Sequence, residues 1–549
     1  MKSKCLDNNA GVALPSVVAF FLIFTILGFS LLGLARAEIQ LTRKECYQKK
    51  AFYAAEAGLE YGIAKLKQLL SEQGQFVDLD DGEDIAVVYN IVSPALEGFT
   101  YDEFSIVKVG GVELEVISSG PYNGMNSLTQ RFKITSHATS DTMESAEVSL
   151  VQWVEDQNIP LFQFAVIYDQ DLEMEPGPPM TINGRIHSNG YVYLESGSTM
   201  SIDSYLTTSR NIYRSGKPGD PSGAGGDVRI KDEFGVYQYM DFDSTDPDWS
   251  NKALARWGGK VQSQTHQIPT FQLPLPEGIA PIEIIRRSQI DDSEALQEAR
   301  LYYQADLRII DGIAYDKSGN VVDLTYVQDA NTIEPIDTSK SFFNHREEKD
   351  IEVTEIDIAK LIEGGKLPAN GILYMSSHTA AAGNQDSIRL VNGSALPASG
   401  LTICTDNPLY IYGDYNLNKA PASILSDAIN ILSNSWQDGG GWQIATNTEI
   451  NVSILAGHSP TTRDGYGGGL ENFPRFSEDW TSRTLTWNGS MSSFWASAIA
   501  TGEWKSGQPY YSAPNRNWGF TGTINLSDLP PGTPTIRRLH RFNWSEESL

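Results

Sequence analysis

The feature that most constrains this chain is an uncharged run from Val12 to Ala35. At about 1.5 Å per residue, a helix of this length measures roughly 36 Å, which is enough to cross the ~30 Å hydrocarbon core of a bilayer. Because no charged residue interrupts the run, it predicts a transmembrane helix over residues 12–35 and argues against a purely water-soluble protein.

A secretory signal peptide is the main alternative for this run. Lys2 and Lys4 precede it, and Ala35-Arg36-Ala37 has the small-x-small form of a cleavage site. However, the apolar part of a signal peptide needs only about 7–15 residues. We therefore favour a retained single-pass anchor in the inner membrane, with an extracytoplasmic ectodomain that could also reach the cell surface. Basic residues beyond the run oppose this orientation under the positive-inside rule: Arg36, Arg43, Lys44, Lys49 and Lys50.

Apolar residues continue at helical spacing beyond the run. They recur at steps of three and four: Phe52, Ala55, Leu59, Ile63, Leu66 and Leu70. A helix from Val12 to about Glu72, with Gly74 as its C-terminal stop, would measure about 90 Å. Only the first half of such a helix can lie in lipid, so we expect the second half to pack on a domain of its own chain.

The N-terminal residues resemble a known family. A short polar leader ends in Gly11, the hydrophobic helix follows, and the helix contains the phrase Ala51-Phe52-Tyr53-Ala54-Ala55-Glu56-Ala57-Gly58-Leu59-Glu60. These features resemble the N-terminal region of PilX-type minor pilins of type IV pili. The resemblance implies that residues 1–11 are a leader, that a prepilin peptidase removes it after Gly11, and that Val12 becomes the mature N-terminus. It also implies that the membrane and other pilin or pseudopilin subunits are partners.

The fifth residue of the implied mature chain departs from the major-pilin pattern. Major pilins carry a glutamate there, which is understood to pair with the terminal amine of a neighbouring subunit, whereas this chain has Ser16. A carboxylate in lipid is costly without such a partner. Because the tip pseudopilin of type II secretion also lacks the glutamate, the resemblance implies that a subunit with Ser16 caps or primes a filament.

The rest of the chain is predicted to be rich in strands, which gives an α+β fold class. Residues 36–158 are expected to combine the helix with a pilin-like antiparallel sheet, because apolar residues alternate in four segments: Ile85-Val87-Tyr89, Val112-Leu114-Val116, Phe132-Ile134 and Val148-Leu150. Beyond them, short apolar strands separated by Gly, Asn and Ser recur about every 8–10 residues, a spacing that fits a β-solenoid or a sandwich. We therefore expect a mainly-β, solenoid-like ectodomain with inserted helices.

This pattern of short apolar strands occurs in two stretches of the sequence. It predicts a β-solenoid-like core from residues 159–235 and 370–420 with an insertion at 236–369. Within the insertion we expect a helix over Ser293 to Ala305, and a strand with a short helix over Ile351 to Ile362. Residues 421–549 are predicted to form C-terminal helices, beginning at Pro421 and after Ser490, and an aromatic-rich tail that wraps the core.

The composition argues against several functions. The net charge is −28 although the first 50 residues are basic, so the ectodomain is strongly acidic and would repel polyphosphate, which argues against a nucleic-acid partner. The seven histidines are scattered, and the chain has no nucleophile elbow, phosphate loop or dinucleotide-binding motif. We therefore expect no enzyme activity, no catalytic residues and no cofactor. Cys5 would leave with the leader, and Cys46 and Cys404 either pair or, as we favour, stay free.

Two acidic groups are candidates for calcium binding. Asp169, Asp171, Glu173 and Glu175 alternate, so in a strand their side chains would share one face, where like charges need solvent or a cation. The other group surrounds Gly82 without the spacing of an EF-hand: Asp78, Asp80, Asp81, Glu83 and Asp84. Whether Asp169, Asp171 and Glu173 bind calcium or simply lie in a solvated loop stays open. A glycosidase-like pair of carboxylates is a further alternative, but no partner acid can be assigned to it.

Six tryptophans near the C-terminal end are a further candidate surface: Trp480, Trp487, Trp495, Trp504, Trp518 and Trp544. Burial under the wrapping tail is the interpretation that we favour, and exposed tryptophans that bind a sugar or a partner protein are the alternative.

Together these features predict a structural minor pilin or pseudopilin-like subunit of a type IV pilus or a related secretion filament, in an assembly-priming or tip position. Two alternatives stay open, namely a membrane-tethered β-helix enzyme that acts on polysaccharide and an adhesin at the filament tip. A groove lined by two carboxylates and a Lys or Arg would favour the enzyme, whereas a flat, acidic, tryptophan-rimmed end would favour the adhesin.

Overall fold

Two segments that are distant in sequence build the first sheet. The computed structural model describes residues 13–74, 76–220, 225–463, 465–520 and 528–547. The first elements of the chain are α1 (Ala13–Gln73), α2 (Ile85–Val88), β1 (Phe99–Val116), β2 (Asn126–Ser140) and β3 (Met143–Pro160). The last strand, β33 (Thr535–Glu547), pairs antiparallel with β3, which gives the order β1-β2-β3-β33. Residues 161–534 are therefore inserted between two neighbouring strands of one sheet.

The long N-terminal helix is confirmed, and it ends at Gln73 before Gly74, which has a φ of +69°. Three of the four predicted strands are also confirmed, because their residues lie in β1, β2 and β3. The strand predicted over Ile85-Val87-Tyr89 is wrong, since this segment forms α2. The side chain of Asp84 accepts a hydrogen bond from the Ala86 amide at 2.9 Å, which caps and starts the helical turn.

The second half of α1 packs on the sheet through small residues. Its buried positions begin at Ala51 and continue at helical spacing to Leu70. A Cβ atom on Gly58 would lie 2.1 Å from Ser136 Oγ, so only glycine lets the helix and the sheet approach this closely. The helix thus covers one face of the sheet, in agreement with the alternation of apolar residues along the strands.

Short parallel strands begin the inserted β-rich domain, and they pair at a spacing of 20 residues. The register joins Val166 to Ile186 and Ile186 to Leu206. The same interval joins Leu172 to Val192. The strands of this part are β4 (Val166–Tyr168), β5 (Leu172–Met174), β6 (Met180–Ile182), β7 (Ile186–Ser188), β8 (Val192–Leu194), β9 (Thr199–Ile202), β10 (Leu206–Thr208), β11 (Ile212–Tyr213), β12 (Asp227–Lys231) and β13 (Tyr237–Tyr239).

One sheet of eleven strands runs through the whole inserted domain. Its further strands are β14 (Val261–Gln262), β15 (Leu307–Ile310), β16 (Ile313–Asp316), β21 (Ile372–Ser376), β23 (Leu401–Thr405), β25 (Ala422–Ser426), β28 (Ser453–Ala456) and β31 (Met491–Ser493). The order is β14-β10-β7-β4-β31-β28-β25-β23-β21-β15-β16. Along the chain, β4, β7, β10 and β14 are added in order towards one edge of the sheet. The chain then continues at the other edge with β15 and β16, and the following strands are added inwards until β31 pairs with β4.

The remaining strands form smaller sheets beside it. A six-stranded sheet contains β19 (Ile336–Asn344), β20 (Lys349–Asp357), β22 (Gln385–Val391), β24 (Leu409–Tyr412), β26 (Ile429–Leu432) and β29 (Arg475–Phe476). A three-stranded sheet contains β27 (Thr448–Asn451), β30 (Thr484–Asn488) and β32 (Asn515–Gly519), and a hairpin contains β17 (Tyr326–Gln328) and β18 (Asn331–Ile333).

The described part of the inserted domain also contains four short α-helices between its strands. They are α3 (Trp249–Trp257), α4 (Glu294–Ala299), α5 (Leu301–Gln304) and α6 (Ile358–Glu363). The helical segment predicted from Ser293 is confirmed by α4 and α5, and the strand and short helix predicted from Ile351 are confirmed by β20 and α6. Helix α3 packs at the β14 edge of the large sheet and buries both Trp249 and Trp257.

Both helices predicted near the C-terminus are wrong. The segment after Pro421 forms β25 and β26, and the segment after Ser490 forms β31. Short apolar runs are compatible with either structure, and here every residue of β25, β26 and β31 is buried, so both faces of each strand are covered. Residues 236–369 also contribute β15 and β16 to the large sheet, so this predicted insertion is not separate from the stack.

Candidate functional site

The first half of α1 is the most exposed apolar surface of the described chain. None of residues 13–50 is buried. Phe21, Phe24 and Phe29 are 71%, 67% and 71% exposed. Among the described residues, α1 is the one helix long and apolar enough to span a membrane. The apolar N-terminal helix indicates membrane anchoring.

The second half of α1 is fixed to the sheet by polar contacts as well as by packing. The Tyr101 hydroxyl donates to the Ala54 carbonyl at 2.7 Å, and Gln48 Nε2 donates to the Glu147 carbonyl at 2.9 Å. These contacts attach the helix to two different strands, β1 and β3. A force applied to the exposed half would therefore be transmitted into the sheet.

Strand β33 adds a third set of contacts to the helix. Arg541 Nη2 donates to the Glu60 carboxylate at 3.0 Å, and Arg537 Nη1 donates to the Leu70 carbonyl at 2.6 Å. The ring of Trp544 lies edge-on to Phe52, with 6.0 Å between their centroids. Sequence reasoning missed this strand, because its burial alternates only at its beginning and most of its later residues are exposed.

One buried charge lies beneath the helix at the β3–β33 pairing. The Asp156 side chain is fully buried, with an oxygen 3.1 Å from Arg537 Nε. Burial raises the pKa of Asp156 to about 6, and the nearby Arg537 opposes this shift only in part. This carboxyl group is therefore a titratable element within the sheet β1-β2-β3-β33, between the two strands that flank the inserted domain.

The processing and assembly residues of the sequence analysis lie at the start of α1. Gly11 and Val12 lie outside the described residues. Ser16 lies in the first turn of α1, on its exposed half. The contribution of these three residues to processing and assembly stays a prediction.

The calcium candidates have separate partners. Asp169 accepts a hydrogen bond from Asn189 Nδ2 at 2.6 Å, and Asp171 forms an ion pair with Lys217 at 3.0 Å. Glu173 accepts a hydrogen bond from the hydroxyl of Thr461 at 2.6 Å, and burial raises its pKa to about 7. Within the described ranges, no group of three or more His, Cys, Asp or Glu side chains is arranged to hold a metal ion. Calcium binding at Asp169, Asp171 and Glu173 stays an untested prediction.

Two carboxylates of the acidic group around Gly82 accept hydrogen bonds from backbone amides of β1. Asp84 accepts the Ile106 amide at 2.9 Å in addition to capping α2, and Asp81 accepts the Gly110 amide at 2.7 Å. These carboxylates therefore join the segment after α1 to the edge strand β1.

The tryptophans and cysteines lie mostly in the interior. Trp480, Trp487 and Trp495 are buried, whereas Trp544 is half exposed beside α1. Cys46 is exposed and Cys404 is buried, and both are free thiols, so the disulfide that the sequence left open does not form.

A cavity of about 350 Å³ lies where strands of the large sheet end. It is lined by two carboxylates, Asp406 and Asp427, and by Arg286 and Arg287. Both carboxylates already accept hydrogen bonds, Asp406 from the Ser376 hydroxyl and Asp427 from backbone amides such as that of Ala500 at 2.9 Å. The cavity therefore has the side chains that would favour an enzyme, but its acids have structural partners.

No protein-family model matches the chain, and no curated protein matches it. Among solved structures, the chain is similar to the crystal structure of the competence-associated pilin ComZ from Thermus thermophilus. The sequence identity is 12%, the match covers 91% of this chain and 97% of that chain, and the TM-score is 0.27. A TM-score this low does not establish a shared fold.

Proposed function

We propose that this protein is a structural subunit of a type IV pilus or a related secretion filament, of the minor-pilin or pseudopilin kind. The observation that carries the proposal is the division of α1. Its second half is packed on an antiparallel sheet of its own chain, whereas residues 13–35 are uncharged and none of them is buried. Such a half-helix needs another apolar environment, either lipid or the helices of other subunits.

The bilayer would hold the subunit before assembly, with the acidic ectodomain on the extracytoplasmic side. After extraction, the same apolar surface would pack against the helices of neighbouring subunits in the filament core. Because one surface serves both states, a charged residue within residues 13–35 would disfavour both of them.

Ser16 supports a position at the start or the tip of the filament. A shaft subunit with a glutamate at this position could offer it to the terminal amine of the next subunit, whereas a serine cannot form that ion pair. The large inserted domain also favours a terminal position, since residues 161–534 form one bulky body on the helix sheet.

We also propose that the inserted domain is a β-solenoid. Parallel pairing of residues 20 positions apart, repeated in two rows of strands, supports this arrangement. The eleven-stranded sheet would then be one side of the solenoid, and α3 would cover one of its ends.

The N-terminus offers the most direct test of filament membership. Mass spectrometry of protein from membranes and from sheared surface filaments should find Val12 as the first residue, particularly in the sheared fraction. Replacement of Gly11 by Leu should block leader removal and exclude the protein from filaments. A matched control is Gly33→Leu, which adds the same bulk where no atom lies within 4 Å of the new Cβ and should be processed normally.

Two results would contradict the proposal. Cleavage before Glu38 would mean an ordinary signal peptide and a secreted protein, and an intact Met1 would mean a plain membrane anchor. Either result would bring forward the alternative of a polysaccharide-acting enzyme.

A further inference from the structure

The cavity between the large sheet and the segment around Pro281–Ile285 has features of a ligand site. Three successive strands, β21, β23 and β25, end beside it, and the residues that follow them line one wall. His378 follows β21, Asp406 follows β23 and Asp427 follows β25. Parallel strands that end together bring side chains from distant positions to one place, which is where ligand sites form in such sheets.

The charges around the cavity are unusual for this protein. The chain carries a net charge of −28, yet Arg286, Arg287 and His378 all line this one cavity. His378 lies 3.2 Å from the Asp406 carboxylate, and this contact raises the pKa of its ring. The cavity therefore brings two guanidinium groups and an imidazole to one place, where the carboxylates of Asp406 and Asp427 balance the two arginines in formal charge.

The two carboxylates of the cavity are held by the protein itself. Asp427 accepts hydrogen bonds from the amides of Ala498 at 2.5 Å, Ile499 at 3.1 Å and Ala500 at 2.9 Å. Asp406 accepts from Ser376, and the same hydroxyl accepts from Arg287 Nε at 2.7 Å. These hydrogen bonds hold the two carboxylates in place in the wall of the cavity.

Arg286 has spare donor groups on the cavity side. Among the described residues it uses only Nη1, which contacts Glu283 at 2.6 Å, and its side chain is 48% exposed. Glu283 is shared with Arg300 at 2.8 Å, so it neutralises Arg286 only in part. A guanidinium with free N–H groups matches the geometry of a carboxylate, which it can bind through two parallel hydrogen bonds.

Apolar side chains also line the cavity. Ile282, Ile285 and Ile499 contribute hydrocarbon surface, and Gln289 contributes an amide at the rim. A mixture of apolar walls with a few oriented polar groups is typical of small-molecule sites, and the volume of about 350 Å³ lies in their usual range.

We propose that this cavity binds one sugar residue that carries a carboxylate, such as a uronic acid at the end of a surface glycan. The carboxylate lies against Arg286, and the ring lies on the isoleucine side chains with its hydroxyls towards Gln289 and His378. A nucleic-acid strand is disfavoured, because it would bring a line of phosphates along a strongly acidic protein. This site goes beyond a structural role in the filament and does not depend on it.

Titration of the full-length chain in detergent micelles with glucuronic acid tests the proposal. We expect saturable binding that is at least tenfold tighter than that of glucose, measured by calorimetry or ligand-observed NMR. Arg286→Gln and Gln289→Glu, both at exposed positions, should each weaken the binding at least tenfold. Arg256→Gln removes the same charge from α3, away from the cavity, and should leave binding unchanged. Thermal unfolding of each variant at the wild-type temperature will show that the fold is intact.

Several outcomes would overturn the proposal. Equal binding of glucose would remove the role of the carboxylate, and equal competition by acetate would remove the role of the sugar ring. Displacement of glucuronic acid by a DNA oligonucleotide at lower concentration would identify a nucleic-acid site instead. Unchanged binding by the folded Arg286→Gln variant would exclude the cavity as the site.

Discussion

Gly58 and Gly62 determine how closely α1 approaches the sheet. A Cβ atom at Gly58 would lie 2.1 Å from Ser136 Oγ and 2.7 Å from the Tyr101 ring, and one at Gly62 would lie 2.9 Å from Ile134. Tyr101 cannot move away without losing its hydrogen bond to the Ala54 carbonyl. The phrase around Gly58 that resembles pilins is therefore also a packing requirement of this fold.

We expect Gly58→Ala to destabilise the protein although alanine is the better helix former. The helix propensity gain is about 1 kcal/mol, whereas overpacking costs about 1–3 kcal/mol. The free energy of unfolding, measured by urea titration with circular dichroism, should fall by up to about 2 kcal/mol. Gly33→Ala is the matched control, because nothing lies within 4 Å of its Cβ, and it should not lower the stability. Equal stability of the two variants would contradict the packing argument.

Asp156 should make stability depend on pH. Because burial raises its pKa to about 6 in the folded state, above the usual value of 3.8, its protonated form is favoured on folding. The stability that it contributes is fully present below about pH 4 and is lost as the pH rises through about 6, by roughly 3 kcal/mol at most. Asp156→Asn cannot titrate, so its unfolding free energy should fall less than that of the wild type between pH 4 and pH 7. Parallel pH profiles for both proteins would contradict this assignment.

At the scale of elements, strand β33 pairs with β3 and contacts α1, so it connects segments that are far apart in sequence. The Leu161 amide donates to the Pro534 carbonyl at 2.9 Å, and the register then continues from Pro160↔Thr535 along the strands. The inserted domain, residues 161–534, is thus held to the sheet β1-β2-β3-β33 by two adjacent chain crossings.

Truncation after Pro534 should loosen the packing of α1 on the sheet. It removes the contacts of Arg537, Arg541 and Trp544 with the helix and leaves β3 as an unpaired edge strand. We expect faster trypsin cleavage at Lys65 and Lys67, followed by mass spectrometry, together with a tendency to aggregate. Arg541→Gln is the control, because it removes only an exposed ion pair worth less than about 1 kcal/mol. Unchanged cleavage of the truncated protein would show that β33 does not secure the helix.

The elements that the sequence predicted well are those with a local signal. The apolar face from Phe52 to Leu70 gave α1, and Ser293, which caps α4 by accepting the Leu296 amide, gave that helix. The helices expected after Pro421 and Ser490 failed because apolar runs buried on both faces have no period that distinguishes helix from strand.

At the scale of the whole molecule, the first strands of the inserted domain pair at a constant interval of 20 residues. This interval predicts that one 20-residue repeat can be removed without changing the pairing of the others. Deletion of residues 186–205 would join Arg185 to Leu206 and keep every later residue in register, because Ile186 and Leu206 occupy equivalent positions. We expect this variant to retain one cooperative thermal transition at a somewhat lower Tm. Deletion of residues 186–195 is the control, and it should abolish cooperative unfolding because it places β10 residues on the wrong side of the stack. Equal behaviour of the two deletions would argue against a solenoid.

The sequence by itself determined the features that depend on neighbouring residues: the apolar membrane-length helix, its amphipathic continuation, and a chain rich in short strands. The tertiary structure alone decided which strands pair. The β33 partner of β3 is several hundred residues away, and β4 pairs with the distant β31 on one side and with the nearby β7 on the other. The cavity with Arg286, His378 and Asp427 arises in the same way. Backbone pairing is not encoded in local periodicity, because many strands present similar hydrogen-bonding edges and only the packing of the complete core selects among them.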